Sequence, residues 1–403
     1  MIRSFSCKNF YSFADDTAVS LLVNDKAPTS DMYMKSLSGE RVSKALVVIG
    51  PNASGKTNLI KVLPFLKWFI LDSFNIKPET EIPIKPFLFH NHEHKPIDVS
   101  VEFEIEKEIY EYFVSMTAKR VLVEELRIKT SGKQRLTSKT LFVRTWDNEK
   151  EKYDFVGRNF KLPNEFKNLL RNNASIIGTA IQLNHPESKI IGDYWSKIQT
   201  NVVEMGLPEG FLHLMNSLNF YGALEFYSEN EALKKKAEKI LSRFDLGLTS
   251  FDVKKEKKER NVSFDASVFH SVNGGTFELS MAYESSGTRQ LFTLLKSILQ
   301  VLEEGGTAVL DELDAYLHPD MVEALFELFA SPDTNTKNAQ IIFSTHSHRI
   351  LNQMDKYQIV LVEKNKKGSS EAWRLDEMEG VRADDNYYAK YVAGAYGAVP
   401  NID

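Results

Sequence analysis

A single cysteine, Cys7, stands in 403 residues, so no intramolecular disulfide can form and a reducing compartment is expected. Cys7 itself is expected to sit as a small buried apolar residue. No stretch approaches the roughly 20 apolar residues of a membrane-spanning helix, and the N-terminal MIRSFSCKNFYSF lacks the apolar core of a signal peptide. A cytoplasmic location with no membrane partner follows as the expectation. Strong charge of one sign is missing too. Lys and Arg number 50 against 55 Asp and Glu, a net of -5, which excludes a polyanion binder acting through overall charge but leaves room for a local basic patch. There is neither an internal repeat nor a low-complexity segment. What remains, 42% hydrophobic and 26% charged, is the composition of a globular chain able to bury a core. It has length for two or three average domains or for one large α/β domain with insertions.

Residues 1 to 23 read as strand, turn and strand, and Lys44 to Ile49 (KALVVI) is an apolar run ending at glycine, as a buried strand would. From Ser54 onward apolar residues recur at helical spacing, so strand, glycine loop and helix follow in that order. Between about Pro78 and Phe155 short β-rich runs such as VSVEFEI, IYEYFVSMT and TLFVRTW alternate with turn signals, predicting an antiparallel sheet. Residues 160 to 245 predict helices, among them NEFKNLL, DYWSKIQTNVVEM and ENEALKKKAEKILSRF. The mixed-sign run Lys254 to Arg260 predicts a solvated hairpin tip. From Ser285 helix and strand alternate again, the grammar of a mostly parallel sheet.

Gly50-Pro-Asn-Ala-Ser-Gly55-Lys56-Thr57 matches G-x-x-x-x-G-K-[ST] in full, between a predicted strand and a predicted helix. Its glycines let the backbone curl so that successive N–H groups face phosphate oxygens. Lys56 then reaches the β- and γ-phosphates, and the Thr57 hydroxyl ligates Mg²⁺. Asn52, Ala53 and Ser54 within the loop and Asn58 just beyond it complete the candidate nucleotide-binding set. Thr307-Ala-Val-Leu310 is an apolar strand ending in Asp311 and Glu312. Asp311 is the candidate partner for Mg²⁺, and Glu312 the candidate general base for an attacking water. His346, in Ser344-Thr-His346-Ser after another apolar strand, is placed to meet a γ-phosphate at the carboxyl edge of the sheet. Ser285, Ser286 and Gly287 open a strong helix with hydroxyls and backbone N–H groups suited to an anion.

In order, GPNASGKT, ESSGT, VLDELD and STHS resemble the Walker A, signature, Walker B with D-loop, and H-loop of ABC-type ATPases. KNFYSF, the long insertion after the first helix and DELDAYLHP are most similar to the RecF/SMC/OLD-like branch of AAA-family proteins. Overall length and GAYGAVPNI resemble compact ATPases of bacterial phage-defence systems. The signature reads ESSGT rather than LSGGQ, and no Q-loop glutamine follows the first helix, since IPIKPFLF lacks one and Gln182 is poorly placed.

The resemblance implies an α/β, ABC-ATPase-like head with a mostly parallel core sheet, an antiparallel β lobe and an inserted helical subdomain. Residues 1–75 and 246–403 would supply the ATPase core and 76–245 the insertion. It implies ATP and Mg²⁺ as cofactors and a homo-oligomer, at least a head-to-tail dimer, in which Ser286 and Gly287 touch the γ-phosphate held by a second copy, Asp314 lies across the interface and His346 is the switch histidine. With no effector motif in the chain, a separately encoded nuclease or toxin is the expected partner. Between Lys119 and Arg171, 14 Lys and Arg face 7 Asp and Glu, interleaved with Phe142, Trp146, Tyr153 and Phe155. Such a mixture can grip nucleic acid, but it is also the normal make-up of a sheet with one wet side. The leading expectation is an ATP-driven switch in phage defence; the alternative is a RecF-like repair or recombination ATPase acting on DNA.

Overall fold

The computed structural model describes residues 1–36, 39–131, 136–202, 209–244, 247–258, 261–315 and 317–400. Its centre is a six-stranded sheet in the order Ile198–Thr200, Thr307–Leu310, Gln340–Ser344, Ala45–Ile49, Ile359–Lys364, Ser370–Arg374. The first five strands run parallel and the last is antiparallel. Every residue of Ala45–Ile49, Thr307–Leu310 and Gln340–Ser344 is buried, which is why these runs are apolar throughout rather than alternating. Alternate side chains go to opposite faces. Leu46, Val48, Val309 and Ile342 pack into one core with the helix Val62–Leu71. Ala45, Val47, Ala308 and Ile341 pack into a second core with the helices Ser286–Glu304 and Pro319–Ala330.

Helix Ser286–Glu304 shows how sequence sets an element's limits. The Ser285 side chain accepts from the Thr288 N–H at its start, and Gly305, with φ of 75°, ends it in the left-handed conformation. In between, Leu291, Leu294, Leu295, Ile298, Leu299 and Leu302 recur every three or four residues and are buried.

A second sheet has seven antiparallel strands, in the order Lys152–Val156, Leu136–Asp147, Val121–Ser131, Glu108–Met116, Ile97–Ile105, Ile2–Lys8, Thr17–Ser20. It thus draws strands from both sides of residue 75. Buried Gln340 joins the two sheets: its side chain accepts from Ile2 N at 2.6 Å and donates to Ile2 O and Ser43 O at 2.9 and 3.0 Å. Cys7 is buried in the Ile2–Lys8 strand, and burial pushes its thiol far above the ordinary thiol range. Leu248–Lys258 and Asn261–Val272 form the expected hairpin, joined by Gly275–Ser280; Glu259 and Arg260 lie outside the described residues.

Two expectations are corrected. The helix expected to run from Asp193 through residue 205 ends at Ser196, and Ile198–Thr200 is the edge strand beside Thr307–Leu310. Pairing with that strand overrides the local helical pattern. NEFKNLL forms a 3₁₀ helix over Asn164–Leu169 instead of an α-helix. It follows Pro163, with no side-chain cap to extend it.

Candidate functional site

The carboxyl ends of three adjacent parallel strands carry the motifs. At Gly50 a side chain is excluded, since a Cβ there would lie 2.0 Å from the Val362 carbonyl oxygen. Gly55 has φ of 113°, and its Cβ would lie 2.3 Å from Ser370 Oγ and 2.7 Å from Ser12 Oγ. Ala53 also adopts a left-handed φ, of 61°. The loop is therefore packed tightly against Val362, Ser370 and Ser12, and Ser370 Oγ pins it by donating to Ser54 O at 2.5 Å. Ser370 Oγ also meets Ser12 Oγ at 2.9 Å, and Ser12 Oγ accepts from the Asn58 side chain at 3.0 Å.

Lys56 is 7% exposed, and its ammonium donates to Gly50 O at 2.9 Å and Pro51 O at 3.1 Å. Burial lowers its pKa, against the pull of Asp311, Glu312 and Asp314. Thr57 Oγ1 donates to Asp311 Oδ2 at 2.8 Å, joining residues 254 apart in sequence. Ser344 Oγ donates to the other oxygen, Asp311 Oδ1, at 2.5 Å. The Asn201 side chain brackets the Asp311 backbone, donating to its carbonyl at 2.9 Å and accepting from its N–H at 2.7 Å.

Glu312 is exposed and takes a φ of 46°, a conformation that costs a non-glycine residue about 1 kcal/mol or more. Its N–H donates to Ser344 Oγ at 2.8 Å, which holds the turn. The Asp314 carboxylate accepts from Thr345 Oγ1 at 2.8 Å and from the His346 N–H at 3.0 Å, so within its own chain it staples the histidine loop to the acidic turn. His346 is exposed and borders a cavity of about 460 Å³ together with Gly50, Pro51 and Asn52.

Lys56, Thr57, Asp311 and Glu312 therefore meet at one place, with Asn52 and His346 on the adjoining cavity. Ser285 and Thr288 share a hydroxyl contact of 2.8 Å at the start of their helix. Beside Gly287, Ser286 lines a different cavity of about 590 Å³ with Phe220, Arg289 and Gln290. Sequence reasoning missed Asn201, Ser344, Ser12 and Ser370. Ser344 opens the STHS motif already noted, and its place at a strand end is the one local signal for it. The others are scattered polar residues.

Several side chains of the basic aromatic stretch turn to structural partners. Phe142 is buried, Arg144 is buried against Glu124, the Arg120 guanidinium lies 3.9 Å from the centre of the Trp146 ring, and Arg171 donates to Phe74 O and Ile76 O. Lys133 and Arg135 lie outside the described residues.

A triphosphate with its metal fits the residues present. Ser54 Oγ is buried without a hydrogen-bond partner, the glycine positions tolerate no side chain, and Thr57 and Asp311 offer a hydroxyl–carboxylate pair of hard oxygens in direct contact. Mg²⁺ suits so small a protein set because it takes its remaining ligands from water and phosphate.

A family model described as "AAA domain, putative AbiEii toxin, Type IV TA system" matches residues 45–352, well over half of the chain. No curated protein matches it. Among solved structures it is similar to the SMC head domain from Thermotoga maritima, at 15% identity and a TM-score of 0.40 over 93% of this chain and 98% of that one. It is similar also to the Smc head domain with a coiled coil and joint from Pyrococcus yayanosii, at 10% identity and a TM-score of 0.48 over 98% and 99% of the two chains.

Proposed function

We propose an ATP-driven molecular switch, an ATPase of the ABC kind, from one premise: the chain belongs to the AAA-domain family described by the AbiEii toxin name. The observation that carries the proposal is the Thr57–Asp311 contact, which joins the glycine loop to the acidic strand end. The loop from Gly50 to Gly55, with Asn52, Ala53 and Ser54, presents its backbone N–H groups to the phosphates. Lys56 exchanges the carbonyls of Gly50 and Pro51 for β- and γ-phosphate oxygens, and Asn58 keeps the following turn tied to Ser12. Mg²⁺ held by Thr57 and Asp311 would offset phosphate charge during transfer.

Glu312, on the turn held by Ser344, orients and deprotonates the attacking water, and His346 meets the γ-phosphate from the cavity side. Ser286, between Ser285 and Gly287 in the chain, lines a separate cavity, which supports the three acting in trans, on nucleotide held by a second copy in a head-to-tail dimer. Asp314 then lies near the junction, holding the histidine loop ready. ATP binding closes the pair and hydrolysis resets it.

The family description carries the words "putative AbiEii toxin, Type IV TA system". That supports a switch which controls, or is controlled by, a separately encoded partner in antiviral defence. The test is the mass of the Glu312→Gln protein in solution, measured by light scattering with and without Mg-ATP. Trapped nucleotide should shift the population to a dimer or larger, and an unchanged mass would contradict the paired-site mechanism.

A further inference from the structure

The cavity of about 460 Å³ beside the glycine loop has a wall that these roles leave unused. Pro51 and Asn52 form one side, His346 and His348 another, and Tyr391 and Pro400 a third. Residues 391–400 reach this place because their sequence dictates a fixed turn. After the short helix Tyr387–Val392, Gly394 and Gly397 take φ values of 76° and 70°, the left-handed region open to glycine without a Cβ clash. Ala398 shares that region at 54°, held there by two bonds. Its N–H donates to the Glu363 carboxylate at 2.8 Å, and its carbonyl accepts from the Tyr391 hydroxyl at 2.7 Å. Glu363 belongs to Ile359–Lys364, which pairs with Ala45–Ile49. The turn is thereby anchored to the strand next to the one that feeds the glycine loop.

Tyr391 is buried, and its ring meets that of His348 at a centroid distance of 4.8 Å and an angle of 64°. This edge-to-face contact fixes a half-buried imidazole at the wall of the cavity. Burial, then His346, lowers the His348 pKa; Asp314 opposes the shift and Lys56 adds to it. In either protonation state the ring keeps an N–H donor. Gly50 and Pro51, whose carbonyls hold the Lys56 ammonium, border the same space.

We infer that His348 is a second histidine contact for the terminal phosphate of the bound nucleotide, and that the 391–400 turn, through Tyr391, is the element that positions it. The inference rests on the nucleotide reading above and extends it to a segment outside the Walker, signature and histidine motifs. Calorimetric titration of Mg-ATP and Mg-ADP into the wild type, His348→Ala and Tyr391→Phe tests it. His348→Ala should weaken ATP about tenfold, the worth of a hydrogen bond to a charged group, and leave ADP within about twofold. Tyr391→Phe keeps the ring but frees the turn, and should weaken ATP alone by about threefold, a partial loss of the same bond. His348→Gln, which retains an N–H donor, should recover part of the loss. ATP affinity unchanged in His348→Ala, or equal losses for ATP and ADP, would overturn the assignment, the second outcome marking a packing role. A wild type that binds neither nucleotide would overturn the nucleotide reading itself and this assignment with it.

Discussion

Buried charge is handled in opposite ways in the antiparallel sheet and at the glycine loop. In the sheet, Glu124 and Arg144 are both fully buried and meet at 2.5 Å. Glu124 also accepts from the Tyr112 hydroxyl at 2.7 Å and from the Ile176 N–H at 2.8 Å, while Arg144 donates to Arg171 O and Ala174 O. Burial raises the Glu124 pKa, and Arg144 opposes that shift. The two charges answer each other, and the helix beginning at Ile176 is tied to the sheet through them. At the loop, Lys56 is held by two carbonyls and Asp311 by two hydroxyls. Neutral partners keep each charge in place without cancelling it. A structural pair is closed, whereas a site that must bind a charged ligand keeps its charges apart.

The contrast can be broken from either side. Arg144→Ala leaves the Glu124 carboxylate buried without its cation and should lower unfolding stability by about 3 to 5 kcal/mol, read as a fall in the urea midpoint. A loss under about 1 kcal/mol, the size of one ordinary hydrogen bond, would mean that the pair is not the tie described. Lys56→Ala should act the other way round. Removing an ammonium already desolvated by the fold leaves stability level or slightly higher, while ATP affinity falls about tenfold or more. Melting curves alongside fluorescence titration separate the two effects, and a protein that melts much earlier with unchanged affinity would reverse the roles given to the two regions.

The sequence made the local parts of the site legible and hid the long-range ones. GPNASGKT, the Asp311-Glu312 pair and His346 are read directly because each is a short run whose chemistry depends on neighbours in sequence. Mixed α/β architecture followed from apolar runs alternating with helical periods, and the buried parallel strands proved apolar at every position except their ends. Asn201 could not be read, because its partner Asp311 is 110 residues away and the contact depends on which strand lies next to Thr307–Leu310. Three residues of strand, Ile198–Thr200, are too few to interrupt a helical pattern by eye. The Ser12–Ser370 contact spans 358 residues and was equally invisible. Among the basic and aromatic residues of 119–171, composition could not say which side chains face inward, and Phe142 and Arg144 do.

The central claim is that the glycine loop and the acidic strand end are one metal-dependent nucleotide site. Calorimetric titration of ATP into the wild type and Asp311→Asn, with Mg²⁺ and again with EDTA, tests it most directly. The account predicts tight binding by the wild type in Mg²⁺, weakened by chelation, and an Asp311→Asn protein whose weaker binding no longer responds to the metal. Wild-type binding that is indifferent to Mg²⁺, or an Asp311→Asn protein that keeps the full metal response, would contradict it.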